Sequence, residues 1–343
     1  MLIRPVCFNL TIRANPPARS YMKDKKTTLE QTAKVLQNAN NIGIITHMRP
    51  DCDALGSALG LARALNDLGK SAQIYSSDPV PSKYLFLPGA EHISSERMGE
   101  HDLTVSVDCS DSNRMGMYRD AFIRTKNTLN IDHHMSNSYE GKFNFVLPQL
   151  SSCSQMILML VNRLGLALTP EIAFPLYFGL ASDTGNFAHS NTTAESFLAA
   201  AELKSVLGDV SEYVALLFKD NPKPRFLLMA HTMSAARFFS DDRICILTVR
   251  RADIERFGAE DSMTEGFVEQ AVNCTPVEVG ICVLESEKGY KISFRSKGSV
   301  DVCEIASLFG GGGHIRASGC MLHGFYEDVI DKLVKAASDR LPL

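Results

Sequence analysis

The sequence predicts an α/β protein of two domains, an N-terminal parallel-sheet domain followed by a smaller C-terminal α/β domain. Three observations lead there. Between 41 and 75 a short apolar run, a polar loop, an amphipathic stretch and a second apolar run follow one another, the rhythm of parallel strands joined by crossover helices. Two further apolar runs, Leu103–Asp108 and Thr128–Asp132, end on acids. A breaker cluster, Asp220-Asn221-Pro222-Lys223-Pro224, then separates this half from one richer in strands.

Each element has a local reason. Thr28 with Gln31 three residues on is a capping-box pattern, and Leu29, Ala33 and Leu36 continue it as one apolar helical face. Asn41 to His47 reads as a buried strand, Ala54 to Leu68 as a helix with Leu55, Leu59, Ala62 and Leu65 inward, and Ser71 to Tyr75 as a strand. Helices are expected over about 152–165 and 170–181, a loop from Ser182 to Thr193, and a helix from Ala194 to Leu207. The expected division is a tail at 1–27, a catalytic domain at 28–210, a linker at 211–225 that a helix from about 211 partly bridges, and a second domain at 226–343. In that second domain strands are expected at Ile244–Val249, Glu278–Leu284, Tyr290–Phe294 and Ala317–Leu322, with helices at about 301–308 and 326–338.

Composition excludes several classes. Hydrophobic residues make up 45% and charged residues 22% of 343, ordinary globular values. A net charge of -4 gives no broad attraction for a polyanion, so a nucleic-acid partner must be small or meet a local basic patch. The nine cysteines contain no CxxC pair, and read mostly as buried apolar residues of a reducing, cytoplasmic protein. The apolar run from Met156 to Leu168 is broken by Asn162 and Arg163, so no membrane partner is expected. Arg4, Arg13 and Arg19 lie in an N-terminal stretch without a secretory apolar core, read as a disordered tail or as sequence upstream of a start at Met22.

Polar residues gather where the predicted strands end. His47, Asp51 and Asp53 follow the first strand, Asp108 ends another, Asp132, His133 and His134 end a third, and Asp183 with Gly185 lies in the expected loop. Open α/β sheets bind ligands outside the carboxyl ends of their strands. Unpaired carboxylates crowded there repel one another, and divalent cations relieve the repulsion. Mixed histidine and carboxylate donors suit manganese, iron, cobalt or zinc better than magnesium. Two ions roughly 4 Å apart, sharing one aspartate, can activate a hydroxide and hold a phosphate in line. Singly, each residue has a plainer reading: His47 as a structural histidine, Asp108 as a helix cap, Asp132 as a supporting or turn residue, Asp183 as a loop marker.

These residues carry a resemblance. His47-x-x-Pro50-Asp51-x-Asp53-Ala54-x-Gly56-Ser57, Asp108-Cys109-Ser110-Asp111-x-x-Arg114-x-Gly116, Asp132-His133-His134 and Ser182-Asp183-Thr184-Gly185-x-Phe187 resemble four successive motifs of the DHH phosphoesterase superfamily. Phe294-Arg295-Ser296-Lys297 and Gly310-Gly311-Gly312-Gly313-His314-x-x-Ala317 resemble its DHH-associated substrate-binding domain. The likeness runs over about 28–335 and is nearest the nano-RNase, or oligoribonuclease and pAp-phosphatase, branch.

That resemblance implies an active site in a cleft between the domains and a manganese-dependent hydrolase. Its expected partners are short RNA or DNA oligonucleotides and nucleotides such as 3'-phosphoadenosine 5'-phosphate (pAp) or the linear dinucleotide pApA, with a homodimer admitted. It implies one metal on His47, Asp51 and Asp108 and a second on Asp53, Asp108, His133 and Asp183, with Asp108 as the bridge. His134 is implied to face the phosphate, stabilising charge or protonating the leaving oxygen. Arg114 is implied on the substrate side, with a structural salt bridge as the alternative. Arg295, Ser296, Gly311, Gly312, Gly313 and His314 are implied as phosphate or base contacts, with Arg316 a weaker candidate or an exposed cap. Cys52 stands where relatives commonly have glycine, and Ser318 where they have alanine. The competing readings are an inorganic or polyphosphate phosphatase of the same superfamily and a non-catalytic nucleotide-binding regulator.

Overall fold

The computed structural model describes residues 26–219 and 221–342, which form two compact units parting at 220/221. Most of the predicted tail, including Met22 and the three arginines, and Asp220 of the breaker cluster lie outside the described residues.

The first unit runs α1 (Leu29–Asn38), β1 (Asn41–Ile45), α2 (Cys52–Asp67), β2 (Ser71–Tyr75), β3 (Leu103–Val107), α3 (Arg119–Arg124), β4 (Thr128–Asp132), β5 (Phe143–Val146), α4 (Cys153–Arg163), α5 (Pro170–Asp183), α6 (Ala194–Val206) and α7 (Ser211–Phe218). The capping box at Thr28 forms as expected: its hydroxyl accepts from the Gln31 N–H, and the Gln31 side chain accepts from the Thr28 N–H. The five strands are parallel in the order β2-β1-β3-β4-β5. The chain leaves β1 toward opposite neighbours, β2 on one side and β3 on the other, so a crevice opens at the carboxyl ends of β1 and β3. On one face of the sheet α2 is buried almost all round against α5 and α4, within a core that includes Leu36, Ile44, Leu55, Val105, Ile131, Ile157 and Leu176. Cys52 packs into that core. On the other face Ile45, Tyr75, Cys109, Met115, Tyr118 and Phe122 form a smaller cluster.

The second unit runs α8 (Lys223–Ser234), β6 (Arg237–Phe239), β7 (Ile244–Val249), α9 (Arg251–Phe257), α10 (Phe267–Asn273), β8 (Val279–Ser286), β9 (Gly289–Ser296), α11 (Val302–Ser307), β10 (Gly312–His314), β11 (Ala317–Leu322) and α12 (Tyr326–Ser338). Its mixed sheet has the order β10-β11-β9-β8-β7-β6, parallel only between β7 and β8. One face carries a core with Ile281, Phe294, Ile305 and Leu333, and the other a core with Leu228, Leu247, Phe267 and Cys282. No helix among the described residues is long and apolar enough to cross a membrane.

Candidate metal centre

His47 leaves β1 into the crevice and is almost fully buried. Its Nδ1 lies 2.8 Å from the Met48 carbonyl, which favours a proton there and leaves Nε2 for the centre. The Met48 N–H in turn donates to the Arg114 carbonyl, 2.6 Å away, so the second motif holds the first in place. Nε2 of His47 is 3.7 Å from both Asp51 Oδ2 and Asp108 Oδ2. Asp51 is the N-cap of α2; its Oδ1 accepts from the Asp53 and Ala54 N–H groups, which turns Oδ2 to His47.

Asp53, in the first turn of α2, is wholly buried at the N-terminus of α4. Its oxygens accept from the Cys153 N–H at 2.6 Å and the Ser154 N–H at 2.9 Å. Helix α5 passes close by. A Cβ on Gly179 of α5 would fall 2.1 Å from Ser154 Oγ and 2.9 Å from Asp53 Oδ1, and one on Gly56 of α2 would fall 2.3 Å from the Pro175 carbonyl. The glycine of the first motif is therefore required by packing.

Asp108 follows β3 with φ +53, a left-handed conformation that non-glycine residues adopt at a cost. Its two oxygens serve different neighbours. Oδ2 faces His47, while Oδ1 lies 3.3 Å from His133 Nε2 and 3.6 Å from His134 Nδ1. Oδ1 is buried and has no hydrogen-bond partner among the described residues. His133, whose Nδ1 is 3.3 Å from the Leu150 carbonyl, also brings Nε2 within 3.2 Å of Asp183 Oδ2 and 4.0 Å of Asp53 Oδ2.

Asp183 departs from the expected loop: it is the last residue of α5. Thr184, whose hydroxyl and N–H both return to the Leu180 carbonyl, carries the helix past the predicted end, and Gly185, Asn186 and Phe187, all at positive φ, stop it. The Asp183 carbonyl is held by the Asn191 side chain at 3.0 Å.

Burial and mutual proximity shift the titration of the whole cluster. Burial, then the charge of Asp108, lifts the Asp53 carboxyl to about 7. Burial, then Asp53, holds Asp183 well above the usual carboxylate range. Burial disfavours charge on the histidines, but their carboxylate neighbours outweigh it, holding His47 at about 10 and His133 at about 11. Burial would raise Asp108 too, yet His133 and His47 keep it well below the ordinary value.

Three sets of donors each lie within 4.8 Å: His47–Asp51–Asp108, Asp53–His133–Asp183 and Asp108–His133–His134. In the third, His134 Nδ1 is already engaged by Asp132 Oδ1 at 2.7 Å. The other two fit divalent cations: they mix imidazole nitrogen with carboxylate oxygen, and Asp108, a member of the first, turns its unsatisfied buried Oδ1 toward His133 of the second. Cys52 is in none of the three sets.

The N-terminal domain of the DHH family matches residues 41–180, and the DHHA1 domain matches residues 241–342. The bifunctional oligoribonuclease and PAP phosphatase NrnA of Thermus thermophilus is 33% identical over 95% of this chain and 97% of its own length. The chain belongs to the DHH phosphoesterase superfamily. The protein of the same description from Bacillus subtilis is 26% identical over 82% of this chain and 89% of its own. An exopolyphosphatase-related protein from Bacteroides fragilis shares the fold, with a TM-score of 0.85 at 24% identity over 91% of this chain and 95% of its own. The protein is thus a metal-dependent phosphoesterase with a DHH domain and a DHHA1 domain.

Of the remaining sequence candidates, Arg114 is half-buried in the DHH unit, and its guanidinium has no ion pair among the described residues. In the DHHA1 unit, His314, Ala317 and Arg295 stand side by side in register across β10, β11 and β9. Arg295 is not presented free. Its Nε donates to Glu269 of α10 at 2.9 Å and its Nη1 to the Phe294 carbonyl at 3.0 Å. The Ser296 hydroxyl donates to the Val300 carbonyl at 2.7 Å. The glycine run is not an open loop. The N–H groups of Gly310 and Gly311 close the end of α11, and Gly312 and Gly313 enter the edge strand β10 with His314. Arg316 is exposed, and its carbonyl accepts from the Ser296 N–H.

The sequence reading missed the supports of the centre: the Cys153 and Ser154 N–H groups, and the buried pair Asn130 and Asn137 behind Asp132. The N-cap Ser152 signals a helix start, but nothing local to it says that the helix points at Asp53.

Proposed function

We propose that this protein hydrolyses very short oligonucleotides and linear dinucleotides such as pApA to mononucleotides, and pAp to AMP, with two manganese ions. The observation that carries the reading is Asp108, which belongs to the His47–Asp51–Asp108 set and turns Oδ1 to within 3.3 Å of His133 Nε2 of the Asp53–His133–Asp183 set, in a chain alignable almost end to end with a bifunctional oligoribonuclease and PAP phosphatase. On this reading His47, Asp51 and Asp108 hold one ion, and Asp53, Asp108, His133 and Asp183 the other. Ions so held supply Lewis-acid stabilisation of the phosphoryl oxygens and activation of a water.

The chain's own residues do the rest. The Cys153 and Ser154 N–H groups fix the Asp53 carboxylate, and the Met48 and Leu150 carbonyls orient His47 and His133. His134, its Nδ1 tied to Asp132, offers Nε2 to the phosphate, where a proton can be given to the leaving oxygen. Arg114, whose guanidinium has no ion pair among the described residues, is suited to a phosphate oxygen. In the DHHA1 unit, Arg295, Ser296, the backbone of Gly311, Gly312 and Gly313, and His314 are phosphate or base contacts, Arg295 through the Nη2 that Glu269 and Phe294 leave over.

The test is a manganese-supplemented activity panel of two- to five-residue RNAs, a 24-residue RNA, pAp, pApA, pyrophosphate and polyphosphate. Turnover of the short oligonucleotides and pAp, well above that of the long RNA at equal concentration of ends, supports the reading. Preference for pyrophosphate or polyphosphate, or nucleotide binding without product, refutes it.

A further inference from the structure

Asp132 gives the third motif its first letter, yet it belongs to none of the three donor sets. It is wholly buried, and its two oxygens are divided. Oδ1 lies 2.7 Å from His134 Nδ1, and Oδ2 accepts from Asn137 Nδ2 at 2.6 Å. Asn137 reaches it because the chain turns directly after the motif, the Asn137 N–H closing on the His134 carbonyl at 3.2 Å.

The orientation of the Asn137 amide is determined. Nδ2 also donates to Asn130 Oδ1 at 2.7 Å, and Oδ1 accepts from the Tyr139 N–H at 2.8 Å. Turning the amide over would set its oxygen against a carboxylate oxygen and an amide oxygen. Asn130 is fixed in the same way, its Nδ2 donating to Ser106 Oγ at 2.8 Å and to the Cys109 carbonyl at 3.0 Å. Both asparagines are buried, so no water competes for these bonds. Hydrogen bonds of fixed direction thus link Ser106 of β3, Asn130, Asn137 and the far oxygen of Asp132, with Asn137 Nδ2 donating both to Asn130 and to Asp132.

We propose that Asn137, backed by Asn130, is a positioning residue for His134. By holding Asp132 in one rotamer, it keeps Oδ1 on His134 Nδ1 and so directs Nε2 to the substrate. This rests on the proposed role of His134 at the phosphate. Without Asn137, the Asp132 carboxylate loses its anchor and can swing, and His134 is no longer held in one orientation. The metal-binding donors are untouched by this loss.

A double-mutant cycle separates this from a structural role. Asn137→Ala, His134→Ala and the double variant are compared with the wild type on pApA and on bis(p-nitrophenyl) phosphate, with manganese content measured in each. Asn137→Ala is expected to lower kcat about 10- to 100-fold, leaving KM and metal content unchanged. In the His134→Ala background the same change should cost no more than about twofold, because the residue it serves is already gone. Asn137→Ser, which keeps a donor in the cavity, reads the same cycle if the alanine variant does not fold. Equal losses in both backgrounds, a loss of metal, or a silent His134→Ala each overturn the proposal. Failure of the wild type to cleave pApA refutes the nucleotide reading instead, and the cycle is then read on the aryl diester.

Discussion

Replacing Gly179 with alanine adds one methyl group where the centre is assembled. The new Cβ would lie 2.1 Å from Ser154 Oγ and 2.9 Å from Asp53 Oδ1. Neither atom can retreat cheaply: Ser154 Oγ is bonded to Ser57 Oγ at 3.1 Å, and Asp53 is held by two backbone N–H groups. Alanine gains about 1 kcal/mol over glycine within a helix. Overpacking a full core costs about 1–3 kcal/mol, and overlap with pinned groups belongs at the upper end. The net loss is about 2 kcal/mol, or about 4–8 °C in the unfolding temperature of a unit this size. Because α5 also carries Asp183, weaker metal binding should accompany the loss. Differential scanning calorimetry and a metal titration measure both. Gly99→Ala is the control, since a Cβ there meets nothing within 4 Å. An unfolding temperature at or above wild type for Gly179→Ala, with unchanged metal affinity, would refute the packing argument.

Two further outcomes follow from the electrostatics and from the DHHA1 unit. His47 at about 10 and His133 at about 11 are protonated at neutral pH in the metal-free protein, and both must be neutral to bind a metal. Metal uptake near pH 7 should therefore release at least two protons per chain, the raised carboxyls of Asp53 and Asp183 adding to those of the histidines, and tighten as pH rises; calorimetry in buffers of different ionisation heat reads this, and uptake without proton release contradicts it. Arg295→Ala should lower kcat/KM for pApA about 10- to 100-fold and leave an aryl phosphodiester nearly unaffected with metal content unchanged, whereas equal losses on both substrates reject a gripping role.

Much of the DHH unit is legible because its signals are local. Ser71–Tyr75 and the capping box at Thr28 appear where periodicity and capping place them, and Asp108 and Asp132 stand at strand ends because an apolar run stops on an acid. In the DHHA1 unit, Ala317–Leu322 and the terminal helix from Tyr326 to Ser338 are likewise found at the predicted bounds. The misses are those whose cause lies elsewhere in the chain. β10 is built from glycines with little strand preference and exists because β11 pairs with it. The four-residue β5 is interrupted by the buried Asn144, which hides its apolar pattern. The supports behind the centre join residues far apart in sequence, as Asp53 meets the start of α4, and no spacing rule reveals them.

If Asp108 serves two metal ions at once, removing its charge with little change of shape should cost both. Asp108→Asn is nearly isosteric, and asparagine tolerates the φ of +53 found there. The measurement is manganese content per chain, by elemental analysis after exhaustive dialysis, paired with turnover of pApA. Two ions per wild-type chain are expected, and fewer in Asp108→Asn together with loss of activity. Two tightly held ions and near-normal turnover in Asp108→Asn would contradict it.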